Sequence, residues 1–378
     1  MRRPRLTPAL PLGLIAATLV AILVLGFTET GIERSVKSSL GYEGGGCRPQ
    51  TNAASPWEPG PPLMRPRDEP RVTAVDGQIY LFGGAVAIKP LEGGGAAVEE
   101  IASTTRFDPR TRRYRALAPM PEPGNHIGLA VHEGSVYVLG GFAAAIDEPA
   151  KRRFSRYVVA EDRWEELPPL PIGVGAMAVG VIEDRIILAG GWTGQRELSR
   201  VDAYDLETGS WSRLADMPTA RQHVGAAVLD GKLYVLGGRD GRSDAIDVAE
   251  RYDPRTDRWE TLPPLPKAAG GLESVTIGGT VVTIGGGDDR GGTVTGAVQR
   301  FDPRSARWDR LPDLRTPRHG HGATYAAGRM WVFGGSPCAY YAASDLVESL
   351  PAPIRTAMRR RRRVTSDGEG GIRTLGRG

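Results

Sequence analysis

Six short apolar strands, each ending in Gly-Gly, recur along this chain. They are Ile79-Tyr80-Leu81-Phe82-Gly83-Gly84, Val136-Tyr137-Val138-Leu139-Gly140-Gly141 and Ile186-Ile187-Leu188-Ala189-Gly190-Gly191. Leu233-Tyr234-Val235-Leu236-Gly237-Gly238, Val281-Val282-Thr283-Ile284-Gly285-Gly286 and Met330-Trp331-Val332-Phe333-Gly334-Gly335 follow. The first glycines stand 57, 50, 47, 48 and 49 residues apart. One phrase repeated at this period specifies an array of similar units, because a single copy cannot cover its own apolar face.

A second phrase travels with the first. One aromatic is followed seven positions later by another: Phe107 and Tyr114, Tyr157 and Trp164, Tyr204 and Trp211, Tyr252 and Trp259, Phe301 and Trp308. A proline-rich link comes next, as in Trp259-Glu260-Thr261-Leu262-Pro263-Pro264-Leu265-Pro266. Over about residues 51–353 the combination resembles the kelch repeat, in which each copy is one four-stranded propeller blade. The resemblance implies an all-β, six-bladed kelch β-propeller. In blade four, strand a is expected near Gly225–Leu229, strand b at Leu233–Leu236, strand c near Ala249–Asp253 and strand d around Trp259. Asp230-Gly231 between a and b signals a tight hairpin. The Gly-Gly pairs and the paired aromatics read as framework, the aromatics packing between blades.

The sixth copy has no Trp after its Gly-Gly, and its pattern stops after Val347-Glu348-Ser349-Leu350. The missing piece stands at the other end, in Ser55-Pro56-Trp57-Glu58-Pro59-Gly60-Pro61-Pro62-Leu63. The N-terminal segment is therefore expected to supply strand d of the last blade and to close the ring.

Residues 1–28 read as a signal-anchor or transmembrane segment. Met1-Arg2-Arg3-Pro4-Arg5 precedes a mostly apolar run from Ala9 to Phe27, long enough to cross a bilayer core. The arginines keep that end cytoplasmic, so the propeller is expected outside the cytoplasm, anchored to the membrane. Secretion after signal cleavage is the alternative. Residues 29–50 form a linker, and residues 354–378 a basic tail read as disordered. That tail carries eight arginines and two acids in a chain of net charge +4. The propeller itself is mildly acidic, so no nucleic-acid partner is expected. The two cysteines, Cys47 and Cys338, are candidates for a disulfide.

Strand alternation sorts the loops: the d-to-a and b-to-c links emerge on one face. Twelve residues past each blade-joining aromatic stand Glu69, His126, Ala176, His223, Gly271 and Gly320, with His319 and His321 flanking the last. Imidazole and carboxylate are metal-ligand and acid–base types. These side chains come from different blades, however, and are expected to face one another across a channel too wide for one ion. Lining of the channel mouth is the expected role, with no metal, cofactor or catalytic residue assigned. Just past the Gly-Gly pairs, Phe142, Trp192, Arg239, Asp288 and Arg290 are expected to be exposed binding residues. Ala85 to Ser103 is the longest of these loops, and its Gly93–Ala97 stretch suggests mobility.

Phosphate-loop, dinucleotide and Gly-x-Ser-x-Gly motifs are absent from the sequence. The reading is a membrane-tethered binding module for a protein or glycan, working through its loop face and channel mouth. The alternative is a carbohydrate-active enzyme, similar to the sialic-acid mutarotases or the galactose-oxidase-like copper oxidases.

Overall fold

The structure, a computed structural model, describes residues 49–90, 96–144, 148–241, 244–288, 292–339 and 342–352. The repeats build six four-stranded antiparallel sheets. The innermost strands a are Arg71–Val75, Gly128–His132, Ala178–Ile182, Gly225–Leu229, Glu273–Ile277 and Gly322–Ala326. Strands b are Gln78–Phe82, Ser135–Leu139, Arg185–Ala189, Lys232–Leu236, Thr280–Ile284 and Arg329–Phe333. Outside them run strands c, from Thr104–Asp108 in blade one to Val347–Pro351 in blade six. The a-to-b turn of blade four is the expected tight hairpin, with Asp230 and Gly231 at φ 50° and 68° and Leu229 paired to Lys232.

The Gly-Gly pairs are the joints between blades. The second glycine of each pair donates its N–H to the next blade: Gly84 to Gly124 O, Gly141 to Val174 O, Gly191 to Arg221 O, Gly238 to Ala269 O, Gly286 to Arg318 O and Gly335 to Arg67 O. All six bonds measure 2.9–3.0 Å. The first glycine turns back into its own sheet, as Gly140 does to Arg153 O. A side chain is barred on two counts. Gly140 has φ 56°, and a Cβ there would lie 2.0 Å from Val174 O.

Apolar clusters fill the seams between adjacent blades. Between blades one and two, for example, Tyr80, Phe82, Met120, Ile127, Val136, Val138 and Tyr157 pack together, with Trp164 at the edge. In blades two, four and five the strand d tryptophan also ties its blade backwards. Trp164 Nε1 donates to Ala118 O, Trp259 Nε1 to Ala215 O and Trp308 Nε1 to Pro263 O, at 2.8–3.0 Å.

Ring closure follows the expectation. Glu58–Pro59 pairs with Val347–Pro351 as the outer strand of blade six, with Glu58 opposite Ser349. Trp57 is 1% exposed and its Nε1 donates to Pro312 O, repeating the link that other strand d tryptophans make. The long loop of blade one differs from the expectation: Ala85–Pro90 and Ala96–Glu100 pair as an antiparallel hairpin. Ala85 and Val86 are buried at its base, which gives the segment a packed root. Among the described residues no helix is long and apolar enough to cross a membrane. The expected anchor and the basic tail lie outside the described residues. Cys338 is disulfide-bonded, while Cys47, its expected partner, also lies outside them.

Candidate functional site

The register counted from the sequence forms a ring at the propeller hub. Glu69, His126, Ala176, His223, Gly271 and Gly320 all take left-handed backbone, with φ between 49° and 61°. Each stands two residues before an innermost strand, where the chain arriving from the outer strand must turn sharply. The kink directs five of the six amides around the ring. His223 N donates to Ala176 O, Ala176 N to His126 O, Gly271 N to His223 O, Gly320 N to Gly271 O and Glu69 N to Gly320 O. These five bonds measure 2.7–3.0 Å and stitch the blades together at the axis.

Three of the six positions carry long side chains and three carry almost none. Glu69, His126 and His223 fill the middle, all buried, and their donor atoms lie within 4.8 Å of one another. His126 Nε2 is 2.9 Å from His223 Nε2 and 3.4 Å from Glu69 Oε1. Gly320 is what admits Glu69, since a Cβ there would stand 2.6 Å from its Oε1. The expectation of a channel too wide for one ion is therefore overturned. The left-handed kinks draw the backbones to the axis, and Ala176, Gly271 and Gly320 leave the space into which the other three reach.

The residue before each ring position pairs with the residue after a Gly-Gly, within one blade. Asn125 bridges Phe142, Gly175 bridges Trp192, Gln222 bridges Arg239 and His319 bridges Ser336. This pairing corrects two expected exposures. Phe142 is fully buried, its ring edge-on to His126 at 6.0 Å between centroids. Arg239 is 4% exposed and its stem lies over Gly270, where a Cβ would come within 2.4 Å of Cγ. The backbone bridge turns both side chains inward instead of into the loop. Trp192 and Asp288 are half-buried at the same face, and Arg290 lies outside the described residues.

His319 and His321 flank the central trio and are buried. Burial, then the Arg318 guanidinium, pushes the His321 imidazole down to about 3, so it is neutral in the hub. His223 is likewise held well below the ordinary imidazole range, first by burial and then by Arg239 and His126. Two adjacent acids part ways. Burial and the neighbouring Glu69 carboxylate raise Asp68 well above the usual range. Burial would raise Glu69 too, but His126, His223 and His319 outweigh it and hold this carboxyl low. Ser336 Oγ lies 2.7 Å from Asp68 Oδ2.

Sequence reasoning missed the neighbours of the ring. Asp68 and Asn125 precede Glu69 and His126 by one, and Arg71 and Glu273, an ion pair joining blades one and five, follow Glu69 and Gly271 by two. Burial raises the Glu273 carboxyl to about 7 in spite of Arg71. Extending the counted register by one or two residues would have found all four.

Comparison with known proteins places the repeats. Residues 129–335 match the family model of the KLHDC2/KLHL20/DRC7 Kelch-repeats domain. Kelch-like protein terF of Aspergillus terreus is 34% identical over 187 residues, which is 46% of this chain and 39% of that protein. Kelch-like protein 38 of Homo sapiens is 32% identical over 184 residues, 48% of this chain and 29% of that protein. Kelch-like protein 35 of Mus musculus is 29% identical over 170 residues, 45% of this chain and 27% of that protein. The matches thus span between about a quarter and two fifths of these curated relatives.

Proposed function

Because the chain belongs to the kelch-repeat family, we propose that its propeller is a protein-binding module that works through the face carrying the d-to-a and b-to-c links. The sealed hub carries this reading. Glu69, His126, His223, His319, His321 and Arg239 are each no more than 8% exposed. A sugar ring needs an open, solvent-reached pocket with polar groups at its wall, and these described hub residues line no such opening. What remains at this face is a set of loops of differing composition, the usual seat of recognition on a repetitive scaffold.

Blade three carries one of these loops. Trp192 is half-buried and pairs with Glu197, while Gln195 and Arg196 are exposed. Thr193 caps the turn, accepting from the backbone N–H of Gln195 and Arg196. Its carbonyl accepts from Ala150 N in the blade-two loop. An aromatic and an arginine on a loop whose backbone is braced in this way cost less entropy to dock.

The apolar run Ala9–Phe27, behind three arginines, supports a tether to a membrane with the propeller outside the cytoplasm. The disulfide-bonded Cys338 suits an oxidising compartment. The test is affinity capture with the full-length chain beside a Trp192→Ala/Arg196→Ala double variant of equal thermal stability. A protein partner retained by the wild type and lost by the variant is expected. Equal capture by both rejects this face, and glycan binding without a protein partner rejects the protein ligand.

A further inference from the structure

We propose that Glu69, His126 and His223 form a binding site for a divalent transition-metal ion, Zn²⁺ foremost, at the centre of the hub. The three donors come from blades one, two and four and share one point only because the propeller is closed. Zinc takes imidazole nitrogen and carboxylate oxygen at about 2.0–2.2 Å in tetrahedral arrangement, which puts neighbouring donor atoms about 3.3–3.5 Å apart. The His126–Glu69 separation of 3.4 Å falls within that spacing, the His126–His223 separation of 2.9 Å lies just below it, and all three donors stand within 4.8 Å of one another. Two imidazoles and one carboxylate are also a common donor set for zinc.

The surroundings fix the donor atoms as a metal site requires. The Asn125 side-chain amide donates to Glu100 Oε1 at 2.9 Å, so its Oδ1 is turned to His126 Nδ1, 2.7 Å away. His126 therefore donates from Nδ1, and Nε2 is the atom it turns to His223 and Glu69. Metal-bound histidines are oriented in this way by a partner on the other ring nitrogen. The backbones are fixed as well, since all three ligands belong to the hydrogen-bonded ring.

The competing arrangement is a proton shared between the two Nε2 atoms, with no ion. The experiment separates the two. Full-length protein stripped with chelator is titrated with Zn²⁺, and separately with Co²⁺, whose visible absorption reports tetrahedral coordination. One equivalent of each ion, a tetrahedral Co²⁺ spectrum and a higher melting temperature with Zn²⁺ are expected. Glu69→Gln keeps the shape and size of the side chain, and His126→Asn suits the left-handed backbone. Each should weaken Zn²⁺ binding by more than about 100-fold, and Asn125→Ala by about 10–100-fold, the usual effect of a partner behind a ligand. His132→Asn, which alters a histidine paired with Asp184 away from the ring, should change nothing. Absence of stoichiometric binding, an octahedral spectrum, or binding retained in Glu69→Gln would overturn the site and leave the shared proton. Because Glu69→Gln is nearly isosteric, its folding can be verified by its melt even where His126→Asn does not fold.

Discussion

At the Gly-Gly joints all six blades use the same residue pair, whereas the six equivalent positions of the hub ring hold Glu69, His126, Ala176, His223, Gly271 and Gly320. Both regions repeat one backbone geometry six times. At the joint, a carbonyl of the next blade occupies the place of a Cβ, so no side chain fits and repetition is enforced. At the ring, a side chain has the channel axis to enter, but six large ones could not share it. The ring therefore admits variety, and its chemistry lies in the departure from the repeat.

Breaking a joint tests the stronger constraint. Gly140→Ala must hold left-handed backbone, at about 1–2 kcal/mol, and must push its methyl against Val174 O, at about 1–3 kcal/mol or more. A loss on the order of 4 kcal/mol is expected in urea denaturation, a large share of a domain's stability. A wild-type midpoint would refute the account of the joint.

Acid tests the hub. His321 is neutral in both folded and unfolded chains above about pH 6.5. Below that pH the unfolded chain takes up a proton that the folded hub refuses until about pH 3. Stability therefore falls as pH drops through this window, by a few kcal/mol at about 1.4 kcal/mol per pH unit. His321→Gln should flatten that slope between pH 6.5 and 4. A slope identical to wild type would mean that His321 is charged in the fold.

Between joint and hub lies a feature that repeats in only part of the ring. Arg221 pairs with Glu250 in blade four and Arg318 with Glu348 in blade six, all four groups buried. Glu348→Ala strands Arg318 and should cost about 3–5 kcal/mol. The apolar double variant Arg318→Met/Glu348→Leu should regain most of it. If the double variant is as unstable as the single, the pair matters through its further bonds to Arg315 N and Thr316 N. The smallest expected effect is a gain. Ala176 is the one ring residue that holds φ 54° with a methyl and no chemical use for it. Ala176→Gly should raise stability by up to about 1 kcal/mol, and a loss would show that the methyl packs usefully.

Much of the framework was legible because it repeats. Gly83-Gly84 through Gly334-Gly335 mark the strand ends, and Trp57 marks the closing strand. Counting twelve residues from each aromatic also found the ring positions. The meaning of those positions was not legible. Distance across the axis depends on how far each backbone is drawn inward, which is a property of the closed ring and of no single repeat. Phe142 and Arg239 were misplaced for a related reason: a residue after a tight turn looks exposed, but here it pairs with Asn125 or Gln222 and turns into the hub.

The sequence alone determined the six-blade array, its strand order and the use of an N-terminal strand to close it, because these follow from local patterns whose period survives in the chain. Only the tertiary structure decided that Glu69, His126 and His223 meet. Their contact joins residues far apart in sequence through the geometry of closure, and no local pattern carries that information.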